Sequence, residues 1–226
     1  MDYYNIKIAD EISSYSAQQE LNYCYAGDTA LCQYISRDSA GDITLIEVPT
    51  LNLNKAQTEG IDLDLGYNND LAGGTLSTRL IGTRLIEQST TSLTPTGGSV
   101  LSEYAGDLAF GSPKWLLNLI TSYDLGPIGV DLSARFVSSG EYNTTYVVGE
   151  LAPANQNLAS NFTLNTGIRY KLSSLPGAPV LYFTISNVLN KAPPLIPGTG
   201  LTGVETNAAL YDTMGRYFFG GVRMKF

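Results

Sequence analysis

The sequence has no histidine among its 226 residues. That absence removes the commonest general base and the commonest side-chain metal ligand. A Ser–His–Asp or Cys–His arrangement therefore cannot be assembled, and neither an enzymatic activity nor a cofactor is expected. Charge is scarce as well: Asp, Glu, Lys and Arg together make up 15%, against roughly 25% in soluble domains. The balance is acidic, with a net charge of −8. A basic stripe of the kind nucleic-acid binding needs is missing, so no nucleic-acid partner is expected. No stretch reaches the ~20 consecutive apolar residues of a membrane-spanning helix. The opening Met1-Asp2-Tyr3-Tyr4-Asn5-Ile6-Lys7-Ile8 lacks the basic and apolar regions of a secretory signal. It reads as the inside of a strand, and any export signal is expected upstream.

What the sequence does have is alternation. Mean hydropathy is −0.01, yet apolar residues recur with a period of two rather than 3.6. Between Asn161 and Leu172, Phe162, Leu164, Thr166, Ile168, Tyr170 and Leu172 fall on one face. Thr163, Asn165, Gly167, Arg169 and Lys171 fall on the other. Val130, Leu132, Ala134 and Phe136 oppose Asp131, Ser133 and Arg135, and Ile61, Leu63, Leu65 and Tyr67 oppose Asp62, Asp64 and Gly66. Around Trp115, Leu117 and Leu119 the pattern is less clean, because Leu116 and Ile120 sit on the otherwise polar face. At the start, Tyr4, Ile6 and Ile8 are expected to oppose Asn5 and Lys7. About eight strands follow, near 2–9, 42–53, 57–70, 74–88, 113–124, 129–141, 161–172, 180–188 and 213–226, with 42–53 and 57–70 read as two strands or one long bent one. Several match the ~9–11 residues that cross a bilayer at a tilt. Short turns at 68–74, 125–129 and 173–179 alternate with long segments at 12–42, 89–112, 143–160 and 190–212. That alternation fits an antiparallel up-and-down transmembrane β-barrel with tight turns on one side and large loops on the other.

Single features each have a plain alternative. Cys24 and Cys32 lie in the first long loop. A disulfide stapling an exposed loop in an oxidising compartment is favoured over two free thiols or a metal pair, which would need more ligands. Residues 12–21 have a composition that permits a short helix. Tyr4, Tyr67, Trp115, Tyr123, Tyr170 and Tyr182 read either as an interfacial girdle or as a plain hydrophobic core. Asp62 and Asp64 could be paired catalytic carboxylates, but a polar row facing a barrel lumen explains them with less. Gly73-Gly74 and Gly97-Gly98 read as turns rather than phosphate cradles. At the end of the chain, Phe218, Val222, Met224 and Phe226 share a face, with Gly221 beside them. This run resembles the terminal signal by which outer-membrane barrels are recognised for insertion; the alternative is an ordinary edge strand.

Three stretches carry a family resemblance. The first is Asp2 to Ile8 followed by a Ser/Ala/Gln segment and the two cysteines. The second is Asn52-Leu53-Asn54 through Thr58-Glu59-Gly60-Ile61-Asp62-Leu63. The third is Phe183-Thr184-Ile185-Ser186-Asn187-Val188-Leu189-Asn190-Lys191 with the closing strand. In order and spacing they resemble the C-terminal part of the β-barrel of TonB-dependent outer-membrane receptors. The resemblance implies a larger, 22-stranded barrel in the bacterial outer membrane, of which residues 1–226 would be one portion. It also implies partners: outer-membrane lipid, the rest of the barrel, a plug domain, an inner-membrane energy-coupling protein, and a small-molecule or oligosaccharide ligand. The function expected is energy-coupled nutrient uptake by binding, with the long loops as the ligand side; no individual ligand residue is assigned. Plug, coupling box and most strands are absent from these residues, and about eight strands alone leave no room for a nutrient channel. An open sheet is therefore expected. Two rival readings are a small stand-alone outer-membrane barrel with a structural or adhesive role, and a secreted carbohydrate-binding β-sandwich.

Overall fold

The computed structural model describes residues 1–93, 99–109, 111–144, 156–196 and 205–224. In chain order its elements are β1 (Asp2–Ser13), α1 (Ala17–Tyr25), α2 (Thr29–Cys32), β2 (Ile35–Arg37), β3 (Ile43–Ile46), β4 (Leu51–Leu71), β5 (Gly74–Leu93) and β6 (Ser99–Glu103). There follow β7 (Trp115–Leu125), β8 (Ile128–Val137), β9 (Gly140–Glu141), β10 (Asn157–Leu158), β11 (Asn161–Lys171), β12 (Val180–Ser186) and β13 (Tyr217–Arg223). Eight strands line up as β1-β4-β5-β7-β8-β11-β12-β13, and β6 pairs with β5 beside that path. Every ladder from β5 to β13 is antiparallel. The sheet is open: among the described residues its edge strands β1 and β13 do not pair with each other.

The chain forms two compact units. One comprises residues 1–4, 59–86 and 104–226; the other comprises 5–58 and 87–103. The larger unit holds most of the strand wall and the loops that follow β6, β8 and β12. The smaller one holds the helices, the β2–β3 hairpin, most of β1 and the outer parts of β4 and β5.

Register sorts the side chains of the wall. Tyr123 stands beside Leu76 and Val130, Leu132 beside Thr121 and Thr166, and Ile168 beside Val130 and Phe183. This apolar face is open to its surroundings. Leu65, Tyr67, Leu119, Val130, Leu132, Phe162, Ile168, Leu181, Phe183, Phe218 and Val222 are all well exposed. A water-soluble sheet does not present so continuous an apolar surface, whereas a membrane-spanning one must. The opposite face carries ion pairs across strands. Arg79 binds Asp64 at 2.6 Å, and Arg169 binds Asp131 at 2.6 Å and Asp124 at 3.1 Å. Asp62 accepts from the Thr83 hydroxyl at 2.8 Å. The two acids of β4 are therefore part of a polar row, each matched on β5.

Aromatic residues mark both ends of the apolar face. Tyr67, Tyr123 and Tyr170 lie near the short turns. Trp115 lies at the opposite end of β7, with the Arg84 guanidinium 4.8 Å from its ring centre. Eight residues of strand separate Trp115 from Tyr123, about 26 Å at ~3.3 Å per residue. Tilt reduces that toward the thickness of an outer-membrane apolar band. Two tyrosines of the expected girdle belong elsewhere. Tyr182 stands on the polar face directly beside Gly221, where a Cβ would sit 2.5 Å from its hydroxyl oxygen. Tyr4 lies over Gly60, two residues before Asp62, and so faces the polar row. Glycine at both positions leaves room for the ring that lies over it.

Other boundaries shift for local reasons. β1 runs to Ser13, so the helix starts later than 12–21, at Ala17. Ser16 caps it: its hydroxyl accepts from the Gln19 amide, and the Gln19 side chain accepts from the Ser16 amide. The expected strand at 42–53 divides, and only its last residues, 51–53, join the wall, in one strand with the expected 57–70. Residues 43–46 pair instead with 35–37, and the wall strand begins at Leu51. The strand expected over 129–141 ends at Val137, and Gly140–Glu141 pairs separately with Asn157–Leu158. The segment expected as loop at 89–112 opens as a continuing hairpin of β5 with β6. The Gly97-Gly98 turn lies outside the described residues.

The two faces predict opposite tolerances. Leu132→Arg should destabilise the lipid-embedded barrel by about 2–4 kcal/mol. Ser122→Arg, on the polar face beside Asp131, should cost under ~1 kcal/mol. Urea unfolding of the receptor in lipid vesicles reads both; equal costs would contradict the assignment of faces.

Candidate functional site

The buried core of this molecule is not in its wall. It consists of Leu108, Ala109, Val137, Tyr142, Leu158, Ile196 and Tyr211, with Leu116 and Leu210 packed against it. Only Val137 and Leu116 come from wall strands, both on the polar face. The rest come from the three long loops that follow β6, β8 and β12. Leu116, the misfit in the alternation of β7, is explained here: it supports the loops.

Hydrogen bonds knit the same loops. Asp107, fully buried, accepts from the amides of Ala109 at 2.9 Å, Gly111 at 3.3 Å and Thr144 at 3.4 Å. Asn207 donates to the Leu108 carbonyl at 3.1 Å, a contact spanning 99 residues of sequence. The Leu108 amide donates to the Glu141 carbonyl, and the Tyr142 amide to that of Gln156. Asn161, at the top of β11, donates to the Ala192 carbonyl at 3.1 Å. Asn187 ends β12 in a left-handed conformation, with φ of 50°. Its amide donates to Asn165 Oδ1, while its own side chain closes a ring with the Lys191 backbone. Asn190 Oδ1 accepts from the Arg216 amide at 3.2 Å, which sets the start of β13.

Beneath this loop cluster lies a cavity of about 330 Å³ against the polar face. Its floor is Asn118 of β7, Ser133 and Arg135 of β8, and Thr163 and Asn165 of β11. Its cover is Leu210, Tyr211 and Asp212, with Ser186 and Tyr217 at the side. Arg135 stands between Asn118 and Thr163 in the ladders, short neighbours that leave its long side chain room. Two polar atoms here are buried without a hydrogen-bond partner: Arg135 Nε and the Tyr211 hydroxyl. Tyr211 is 5% exposed, and burial pushes its hydroxyl up to about 12. It therefore keeps its proton, and its capacity to donate, throughout the physiological range.

The first loop is a separate structure. Cys24 and Cys32 form a disulfide with a Cα separation of 4.9 Å, joining α1 to α2. Tyr15 packs edge-on against Tyr23, with ring centres 4.9 Å apart. Glu20 is fully buried beside this staple with neither carboxylate oxygen bonded. Burial raises its pKa, because the charged form loses hydration without gaining a partner.

At the end of the chain, Phe218 stands beside Ile185 and Val222 beside Leu181, both on the apolar face. Phe218 also stacks on Phe183, with centres 6.3 Å apart. Met224 is exposed. Phe226 lies outside the described residues.

An open antiparallel wall, apolar outside and polar inside, with short turns at one end and large loops at the other, defines a segment of an outer-membrane β-barrel. Residues 1–188 match the family model described as TonB dependent receptor-like, beta-barrel, and the chain belongs to that family. It is an outer-membrane protein. Among solved structures it is similar to the outer membrane transporter YddB of Escherichia coli, at 13% identity and a TM-score of 0.59 over 99% of this chain and 30% of that one. The siderophore receptor PirA of Acinetobacter baumannii gives 14% and 0.56 over 99% and 29%. The ferric enterobactin receptor PfeA of Pseudomonas aeruginosa gives 18% and 0.55 over 97% and 28%. The chain thus spans under a third of the length of these proteins. No curated protein matches the sequence.

The disulfide and Tyr211 each yield a test. Replacing Cys24 and Cys32 by serine should remove about 2–3 kcal/mol from the order of the first loop. Hydrogen exchange should quicken over 16–33 and stay unchanged in β7–β13; a uniform change would contradict an independent loop. Tyr211 holds its proton in the folded state above the ordinary value of 10.0. Its contribution to loop stability is thus intact below pH ~10 and is lost as pH rises toward ~12. Exchange over residues 205–212 should accelerate across that window, and less so in Tyr211→Phe.

Proposed function

We propose that this chain forms the C-terminal wall and loop-bearing portion of a receptor that takes up a scarce small molecule across the outer membrane with energy from an inner-membrane coupling protein. The observation that carries the reading is the polar cavity held between the inner face of the wall and a hydrogen-bonded cluster of three long loops. Such a site suits capture rather than bond-making chemistry: it supplies hydrogen-bond donors and acceptors and a rigid rim. A plug domain and the remaining strands complete the lumen, since eight strands do not enclose a channel wide enough for a nutrient. A siderophore is the first ligand class to test, because PirA is a siderophore receptor and PfeA has been crystallised with enterobactin. Vitamins and oligosaccharides remain alternatives within the same uptake scheme. For assembly, we propose that Phe218, Gly221, Val222, Met224 and Phe226 form the signal for membrane insertion. Support comes from the placement of Phe218 and Val222 on the lipid face and of Gly221 beneath Tyr182.

The test is uptake by the full-length receptor in a strain stripped of its own receptors. Radiolabelled ferric enterobactin, cobalamin and maltodextrin would be supplied separately. Accumulation of one of them is expected, abolished when the energy-coupling protein is deleted. Accumulation that persists without that protein would sink the proposal.

A further inference from the structure

We propose that the cavity beneath the loop cluster binds an anionic oxygen group of the ligand, with Arg135 supplying the charge and the Tyr211 hydroxyl a second donor. This deepens the receptor reading and rests on it.

Two polar groups at this cavity have unmet needs. Among the described residues, Arg135 is the only cation lining the cavity and Asp212 the only acid. They form no ion pair with each other, and no other acid pairs with Arg135 among the described residues. Asp212 is engaged locally, its Oδ1 accepting from the Met214 amide at 3.0 Å. The contrast with two other wall arginines of the polar face is direct. Arg79 and Arg169 each hold a carboxylate across the strands. Arg135 is flanked instead by Asn118 and Thr163, which carry no charge. Its Nε is buried and unmatched.

A buried guanidinium nitrogen with no acceptor is costly, and so is a buried hydroxyl without a partner. Both atoms belong to residues lining the same cavity, and one comes from the wall, the other from the loop cover. A carboxylate, catecholate or phosphate group in the cavity offers acceptors to both guanidinium and hydroxyl and neutralises the charge. A neutral sugar satisfies the hydroxyl but leaves the charge uncompensated. The volume of about 330 Å³ lies at the small end of ligand sites, enough for one such group and the ring or chain that carries it. Tyr211 stays protonated because burial disfavours its anion, so it repels no incoming negative charge.

The test is calorimetric titration of the full-length receptor in detergent with 2,3-dihydroxybenzoate, citrate and inorganic phosphate, and with maltose as the neutral arm. At least one anion is expected to bind and maltose is not; which one binds separates the three sources of anionic oxygen. Arg135→Gln should weaken that binding about tenfold or more, and Tyr211→Phe a few-fold. Arg135→Lys should fall between wild type and Arg135→Gln, because charge remains but the fork geometry is lost. Folding of each variant is checked by its heat-dependent gel mobility. If Arg135→Gln does not fold, the Lys and Phe variants decide. Undiminished anion binding in the folded variants, maltose binding alone, or no anion binding at millimolar concentration would each overturn the assignment; the last would arise if another part of the receptor already neutralises Arg135. Coupled uptake with no anion binding would remove this inference and leave the receptor reading standing. Arg135-dependent binding without coupled uptake would do the reverse.

Discussion

The ladder of backbone hydrogen bonds is the constraint on which the rest depends. In the hydrocarbon of a bilayer no water is present to receive an amide or carbonyl, so each strand must be satisfied by its neighbours. That requirement selects long antiparallel strands joined by tight turns, such as Leu125 to Ile128 between β7 and β8. It also explains why the register is so firmly held. Slipping one residue would turn Val130, Leu132 and Phe136 inward and put Asp131, Ser133 and Arg135 into lipid. The edges of the sheet carry the same demand outward: among the described residues β1 and β13 each leave one side unpaired.

Because the apolar face is spent on lipid, the molecule has to find its packed core elsewhere. It finds it in the loops. Asp107, Asn161, Asn187 and Asn207 are short polar side chains that bond to backbone, so the loops acquire the hydrogen bonds that regular structure would have given them. Around them Leu108, Tyr142, Leu158, Ile196 and Tyr211 close a dry cluster. Loops fixed in this way can hold a cavity open over the polar face, where unsupported loops would collapse into it or leave it to solvent.

How much of this was legible in the sequence follows from the range of the interactions concerned. Period-two alternation is local, and it locates the wall strands β7, β8, β11 and β13 with their outward residues. The short-and-long sequence of connections is equally local and revealed the two ends of the barrel. The helix was placed early at 12–21, although Ser16 and Gln19 already formed a capping signal at the right position. The range 42–53 joins two elements, because Ile43–Ile46 has the composition of a strand and is one, but in a hairpin with Ile35–Arg37 that composition does not announce. Tyr4 and Tyr182 read from sequence as either girdle or core, because aromatic residues suit both. Their partners Gly60 and Gly221 sit on other strands, and only register reveals them. The site itself was beyond reach for the same reason. Arg135 reads as one more polar residue in an alternating strand until its neighbours are known to be Asn118 and Thr163, and Tyr211 reads as a loop aromatic until it is found buried.

The site also shows why neither half of this protein suffices alone. Arg135 is held by the wall, whose geometry is set by lipid and by the ladder. Tyr211 is held by the loops, whose geometry is set by Asp107 and Asn207 and by the apolar cluster around them. A ligand touching both reports on their relative position, so anything that loosens the loop cluster weakens binding without altering a contact residue. Conversely, loss of a ligand from Arg135 and Tyr211 leaves two buried donors unmatched, and the cover is then held down only by its own packing. On the proposed assignment, binding energy at this cavity is coupled to loop order.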